Sequence, residues 1–493
     1  MLKNVLSALA AAHPLKQAVR CGDLTLTYLE LFIMKDRVKK YLAEELRIQN
    51  GDKIALYLPN CPDFIYSFFS AAEIGAVTIP LNINFKESEL RYYISQCGIK
   101  TIITQSDLLA RWGQTPLKDK TLTFVLMDQL QLPIADIMAD SLLKISPISP
   151  DAETIDSDIL YLCTSGSSGR PKIIPKTPDL LFSGAENLGT ALDVKSQDRF
   201  LCVTPFFHAN GFENCMFLPI IKGASLVLMG EFSPRSMLDL LEQEEITVLI
   251  GSPFIFSALC DCADKAYDFS AMRCCLSAGA PLPAQLKKKF DDAFGIKVRE
   301  HYGASETGPI SVQFEDADEI GAVGKPLNNV KVMILDEEGR QLPPDITGEV
   351  FVSSTSMIKG YLNEPELSGE AFSGGYFRTG DLGMLDSEGN LHIVGRNKAI
   401  INTAGIKIDP AEIRNTLLLY PKVKDAYVTG VRNRKGMEVI KATIVAHPDC
   451  TAKEILTFCR DRLAAFKIPR LIEFTDTIPV DVMGKVIRSL VAE

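Results

Sequence analysis

Short, nearly continuous apolar runs alternate with stretches of helical periodicity along most of the chain. Runs at 52–58, 76–81, 101–104 and 122–127 are separated by helical patterns at 63–74 and 86–97. Runs this short suit strands buried on both faces, and the helical stretches suit crossover connections between parallel neighbours. The alternation resumes at 198–204, 224–229, 248–251, 273–277 and 298–302, with helices at 234–242 and 283–294. Such a pattern predicts an α/β fold built on parallel-rich sheets. A hairpin precedes it, with 17–20 and 24–27 flanking Cys21-Gly22-Asp23. Thr27 and Glu30 then form a capping box that opens a helix to about residue 46. The segment 115–158 reads mostly as connection.

Beyond Gly321 the pattern changes to short strands at 330–335, 348–352 and 391–394 between turn clusters, which predicts a small β-barrel or sandwich. A third pattern follows Lys398: elements at 400–402, 410–419, 423–431, 438–445, 451–463 and 471–474 make a compact α+β unit. The expected domains are 1–397, α/β to about 320 and a β-barrel over about 321–397, and 398–493. Length agrees, since 493 residues suit about three folding units.

Composition excludes several classes. At 46% hydrophobic and 23% charged residues the chain is ordinary for a globular protein, and no apolar run reaches membrane-spanning length. Residues 1–13 read as a surface helix rather than an export signal. Twelve cysteines occur without a C-x-x-C pair, and Cys260/Cys262 and Cys274/Cys275 have the wrong spacing for zinc. Reduced thiols and a cytoplasmic location are expected. The five histidines show no metal-ligand spacing. A net charge of −10 argues against nucleic-acid binding. From Lys398 onward there are 16 Lys+Arg against 11 Asp+Glu, leaving 36 against 51 before it. A basic C-terminal piece on an acidic body suits a lid that meets phosphates or an acidic partner.

The densest chemistry is Thr164-Ser165-Gly166-Ser167-Ser168-Gly169-Arg170-Pro171-Lys172, after the apolar run Ile159-Leu160-Tyr161-Leu162-Cys163. Glycines let backbone N–H groups converge, hydroxyls add rotatable donors, and Lys172 adds a positive charge, so the loop suits a phosphate. It is not a Walker A motif: Gly-Lys-Ser/Thr is absent, and Pro171 stands where the helix should begin. Two later strands end in small-residue loops, Ala278-Gly279-Ala280-Pro281-Leu282 and Gly303-Ala304-Ser305-Glu306-Thr307, at the strand ends where parallel sheets bind ligands.

Five ordered motifs make the chain resemble the adenylate-forming superfamily of acyl-CoA synthetases, luciferases and peptide-synthetase adenylation domains, from about Thr27 to Arg488. The 164–172 loop resembles Thr-Ser-Gly-Ser/Thr-Thr-Gly-x-Pro-Lys-Gly, with Ser168 for threonine and Ile173 for the last glycine. Tyr302-Gly303-Ala304-Ser305-Glu306 resembles Tyr-Gly-x-Thr-Glu. The resemblance implies that Tyr302 stacks on adenine, Ser305 bonds the α-phosphate and Glu306, with Thr164, holds Mg2+. Gly279, Ala280, Pro281, His301, Gly303 and Ala304 join Ser165, Gly166, Ser167, Ser168, Gly169 and Lys172 as candidate nucleotide-site residues. In Tyr376-Phe377-Arg378-Thr379-Gly380-Asp381-Leu382, Asp381 would accept from both ribose hydroxyls, and Arg396 would be a second nucleotide contact.

The resemblance also implies two moving parts. Lys398 falls at the hinge of a mobile C-terminal lid, where the family has an acidic residue. Gly405 and Lys407 match a loop that lines the pantetheine channel. Lys485, in Met483-Gly484-Lys485-Val486-Ile487-Arg488, would bridge the attacking carboxylate and the phosphate, although Val480 and Asp481 replace the usual upstream arginine. Pro205-Phe206-Phe207-His208-Ala209-Asn210-Gly211 lacks the aspartate of amino-acid-activating members and resembles Pro-x-x-His-x-x-Gly, so His208 would line or gate the acyl pocket. His301 replaces a glycine and would shorten that pocket or meet a polar substrate.

The implied activity is a ligase that turns a fatty, aryl or other acid without an α-amino group into an acyl adenylate and passes the acyl group to coenzyme A. ATP, Mg2+ and coenzyme A are the expected cofactors. The alternatives are loading the phosphopantetheine of an acyl carrier protein and, in another class, a non-catalytic nucleotide-binding regulator. No nucleic acid, no stable membrane insertion, and a monomer or homodimer are expected.

Overall fold

The computed structural model describes residues 2–85, 87–111, 122–130, 157–164, 172–314, 321–396, 401–403, 406–408, 410–432, 438–463, 467–480 and 486. The α/β class expected from the alternation is what the chain adopts. A six-stranded sheet runs in the order Thr123–Leu126, Thr101–Thr104, Lys53–Leu56, Val77–Pro80, Leu160–Thr164, Lys172–Lys176. Its neighbours are parallel except the last two, which form a hairpin pairing Leu160 with Lys176 and Thr164 with Lys172. The helix Tyr28–Lys40 starts at the expected capping box, with Thr27 and Glu30 bonding reciprocally, and packs on Pro62–Ile74.

A larger sheet continues from the hairpin Gln17–Cys21/Leu24–Thr27. Gln17–Cys21, Ser225–Leu228, Arg199–Cys202, Val248–Gly251, Cys274–Ala278 and Val298–Ala304 lie parallel in that order. Every residue of Ser225–Leu228 and Val248–Gly251 is buried, as continuous apolar runs require. Val298–Ala304 then turns at 305–307 and pairs antiparallel with Gly308–Val312. Through Ala322–Pro326 the sheet goes on to Leu391–Arg396, Tyr376–Leu385, Gly348–Ser354 and Val330–Leu335, all antiparallel. The strands read as a small barrel are thus hydrogen-bonded to the parallel sheet through Gly308–Val312 and Ala322–Pro326.

The main hydrophobic core reaches from Leu2 to Leu391. A separate one, from Ile401 to Leu463, lies under the antiparallel pair Val423–Arg432/Glu438–Ala446, to which Leu471–Phe474 adds in parallel, and the helices Pro410–Leu418 and Ala452–Arg460. Among the described residues no helix is long and apolar enough to cross a membrane, and all twelve cysteines are free thiols.

Several elements were not legible as such, among them the strands Lys172–Lys176, Gly308–Val312, Ala322–Pro326 and Tyr376–Leu385, the helices Pro178–Ala191 and Pro253–Cys262, and a π-type helix at Asn210–Phe217. The last begins at Gly211's closest approach. A Cβ there would lie 2.2 Å from the Pro205 carbonyl oxygen, so only glycine lets the chain fold back on 204–205.

Candidate functional site

The hairpin places Thr164 opposite Lys172, so the candidate phosphate loop bridges two paired strands instead of leading into a helix. Ser165, Gly166, Ser167, Ser168 and Gly169 lie outside the described residues. Lys172 Nζ donates to the Tyr361 hydroxyl at 3.2 Å and lies 4.4 Å from its ring centroid. The same hydroxyl donates to Glu306 Oε1 at 2.8 Å. Burial, reinforced by the Glu306 charge, raises the Tyr361 pKa, so it stays a neutral donor. One buried phenol therefore joins the phosphate-loop lysine to the candidate Mg2+ ligand.

Four residues before Glu306 on the same turn-bearing segment, the Tyr302 hydroxyl donates to Asp381 Oδ2 at 2.6 Å. Asp381 is buried in the middle of Tyr376–Leu385. The Thr379 hydroxyl accepts from its N–H, and it pairs in register with Arg396 on the next strand. The structure thus brings together Lys172, Glu306, Tyr302 and Asp381, from three separate motifs. Ser305 lies half-buried in the turn between them, with Gly303 exposed and Ala304 half-buried beside it.

Gly279, Ala280 and Pro281 form an exposed loop at the end of Cys274–Ala278, while Leu282 is buried. Leu282 N–H donates to Glu300 Oε2 at 3.2 Å. Burial pushes the Glu300 carboxyl up to about 7, against the opposing pull of the Leu282 N–H and Lys287.

His301 is buried. Its Nδ1 lies 3.0 Å from the Ser311 carbonyl oxygen, which can only accept, so Nδ1 carries the proton. Nε2 then accepts from Asn214 Nδ2 at 3.4 Å, and that amide also donates to Asn210 Oδ1 at 2.9 Å. Burial lowers the His301 pKa and keeps the ring neutral. His208 stands at the start of the turn into the π-type helix, its carbonyl accepting from Phe212 N–H at 2.8 Å and its ring beside Phe207. Asn60 clamps this turn from both sides, donating to the Thr204 carbonyl and accepting from Phe206 N–H, each at 2.9 Å.

Lys398, Gly405 and Lys485 lie outside the described residues, and of Arg396 and Lys407 only the backbone is described, within Leu391–Arg396 and Ile406–Ile408. Tyr361, Glu300 and Asn214 were missed. Tyr361 lies 189 residues from Lys172 and 55 from Glu306, and no local pattern marks it. Glu300 had a signal, a carboxylate inside an expected strand, where acidic residues are depleted.

Glu306 and Thr164 offer oxygen donors, which fits Mg2+. This ion is usually held by one or two carboxylates together with substrate phosphates, and does not need a full protein cage. Among the described residues no group of three or more His, Cys, Asp or Glu is placed to hold a metal.

Residues 6–362 match the family described as AMP-binding enzyme, and 412–485 match its C-terminal domain. The chain is 32% identical to a feruloyl-CoA synthase of Amycolatopsis sp over 97% of this chain and 96% of that one. It is 30% identical to an oxalate–CoA ligase of Arabidopsis thaliana over 100% and 98%. Among solved structures it resembles o-succinylbenzoate coenzyme A synthetase of Bacillus subtilis in complex with ATP and magnesium ion, with a TM-score of 0.86, 26% identity and 99% of each chain covered.

Two outcomes follow from this geometry. Tyr361→Phe removes a hydrogen bond shared by two charged groups, worth about 1.5–3 kcal/mol. The unfolding midpoint should fall accordingly, and Mg·ATP use, followed as ATP–pyrophosphate exchange on the folded variant, should fall roughly ten- to a hundredfold. Glu300 is raised from 4.5 to about 7, so the folded protein binds its proton more tightly than the unfolded chain does. Its ionisation therefore costs stability as pH rises through that window, up to about 3 kcal/mol by pH 8. Glu300→Gln should be more urea-resistant than wild type at pH 8, with the difference shrinking toward pH 5. A difference independent of pH would contradict the assignment.

Proposed function

The chain belongs to the AMP-binding enzyme family, and on that premise we propose that it is an AMP-forming acyl-CoA synthetase. The observation that carries this reading is the segment from Tyr302 to Glu306, which touches Asp381 at one end and Tyr361–Lys172 at the other. A ribose-binding carboxylate, an adenine-stacking ring and phosphate-directed groups thereby meet on one turn.

In the first step a carboxylate oxygen of the acid attacks the α-phosphorus of ATP. The bond to the β-phosphate breaks, and pyrophosphate leaves with its electron pair. Lys172 and the 164–172 loop neutralise the leaving phosphates, Ser305 donates to the α-phosphate, and Asp381 holds the ribose. Mg2+ bound by Glu306 and Thr164 would supply further charge neutralisation. Lys485 bridges carboxylate and phosphate, so catalysis is mostly positioning and electrostatics. In the second step a thiol, its proton lost to solvent, attacks the acyl carbon, and AMP leaves. The reading assigns 1–397 to the adenylation domain and 398–493 to a lid turning about Lys398, which exchanges Lys485 for Gly405 and Lys407 at the site. The separate core from Ile401 to Leu463 supports that division.

Coenzyme A is the thiol that the curated relatives' names support, and a carrier-protein phosphopantetheine is the alternative acceptor. Twelve free thiols support a cytoplasmic enzyme, taken here as a monomer or homodimer. The two curated relatives differ widely in the acid they are named for. The neutral His301–Asn214–Asn210 array supports a polar acid over a long alkyl one.

Lys485→Ala should abolish ATP–pyrophosphate exchange yet retain thioester formation from a supplied acyl adenylate. Equal loss of both would count against two working conformations. Exchange across a panel of carboxylic acids, followed by thioester detection with coenzyme A and with a carrier protein, tests the function itself. No exchange with any acid would favour a nucleotide-binding regulator. His301→Gly should shift the panel ranking toward longer, less polar acids, and an unchanged ranking would remove His301 from the acyl pocket.

A further inference from the structure

The strand Lys172–Lys176 carries a lysine at each end, and side chains four apart on a strand share a face. Lys172 meets Tyr361 at the mouth of the hairpin. Lys176 is fully buried, and its Nζ lies 3.2 Å from Oε1 of Glu213, itself buried on the π-type helix Asn210–Phe217. Beyond this ion pair, neither atom has a hydrogen-bond partner among the described residues. Burial pushes the Glu213 carboxyl up, and the Lys176 charge pulls it back.

An apolar pair of similar volume would fill this position without the cost of desolvating two charges, so packing alone does not account for it. What the charges add is a stiff, directional distance between two segments that each carry part of the site. One is the phosphate hairpin. The other is the helix that follows His208, whose Asn214 holds His301. Glu213 also lies beside the start of the strand Gly308–Val312, which follows the Glu306 turn: a Cβ on Gly308 would lie 3.8 Å from its Oε2.

We propose that Lys176–Glu213 is a positioning pair for adenylation, registering the acid-binding helix against the phosphate hairpin so that the carboxylate meets the α-phosphate in line. The proposal rests on the acyl-CoA synthetase reading.

Three variants test it: Lys176→Met, the double replacement Lys176→Met/Glu213→Leu, and Glu213→Asp, which keeps both charges but shortens one arm by a methylene. The single methionine variant should unfold at lower urea than wild type, and the double should recover that midpoint. The recovered double should still turn over ATP–pyrophosphate exchange at least tenfold more slowly at saturating substrates, with KM for ATP within about twofold. Backbone hydrogen exchange over 206–217 should be at least tenfold faster. Glu213→Asp should show the same turnover loss. Wild-type turnover and wild-type exchange protection in a folded double variant would make the pair structural only, as would wild-type turnover in Glu213→Asp should the double fail to fold. A wild-type protein inactive toward every acid would sink the synthetase reading, while hydrogen exchange, which needs no substrate, would still decide the pair.

Discussion

The bond from Tyr302 to Asp381 sets the shape that the larger sheet must take. Three strands, Gly308–Val312, Ala322–Pro326 and Leu391–Arg396, separate their two strands in the hydrogen-bonded order. On a flat sheet four strand spacings would hold them about 19 Å apart. A 2.6 Å hydrogen bond across that interval requires the antiparallel part of the sheet to curl back on the parallel part. The register breaks at Tyr302/Gly303, Ala322/Gly324 and Leu382/Gly383 lie along the curl, and bulges increase local twist. Gly324 shows how close the strands come, because a Cβ there would lie 2.2 Å from the Val312 carbonyl oxygen. Curling places the Asp381 carboxylate, proposed to hold the ribose, beside the parallel strand end where Tyr302, proposed to stack on adenine, stands.

At the other end of the same turn, Tyr361 stands between two opposite charges, Lys172 and Glu306. A direct Lys172–Glu306 ion pair would spend the ammonium on a carboxylate and leave less of either for phosphate or metal. The phenol accepts from one and donates to the other, so both are oriented without being neutralised. Its raised pKa keeps it uncharged while it does so.

How much of this the sequence discloses depends on the range of the interaction. Thr101–Thr104 and Val248–Gly251 match their expected bounds because strands buried on both faces are short, uncharged and built on Ile, Leu and Val. The capping box at Thr27 and Glu30 is legible because its partners are three residues apart. Lys172–Lys176 escaped notice because Pro175 and two lysines disguise a strand of five residues, although proline is tolerated at a sheet edge and this strand is one. Pro178–Ala191 has a readable start in Thr177 and Pro178, but the apolar stripe of helical period that extends it does not stand out from its surroundings. At the site, motif positions such as Tyr302, Glu306 and Asp381 could be named singly, but their mutual contacts, and Tyr361 and Lys176–Glu213 altogether, are made across long sequence separations that no local pattern encodes.

The hairpin under the phosphate loop bears on the proposed chemistry as a whole. A phosphate loop that opens a helix gains a fixed partial positive charge from the helix N-terminus. Here Thr164 and Lys172 belong to an antiparallel pair, whose strand dipoles oppose each other and leave little net field. Beyond the loop's own N–H donors, full positive charge must then come from side chains. A helix dipole is built into the fold and acts in both half-reactions alike. A lysine carried on a separate lid, as proposed for Lys485, can be present while pyrophosphate leaves and absent when the thiol attacks. A hairpin loop joined by a lysine from a moving lid thus suits a two-step ligase better than a helix-borne loop would, because the first step needs strong local charge and the second needs that same space for another substrate.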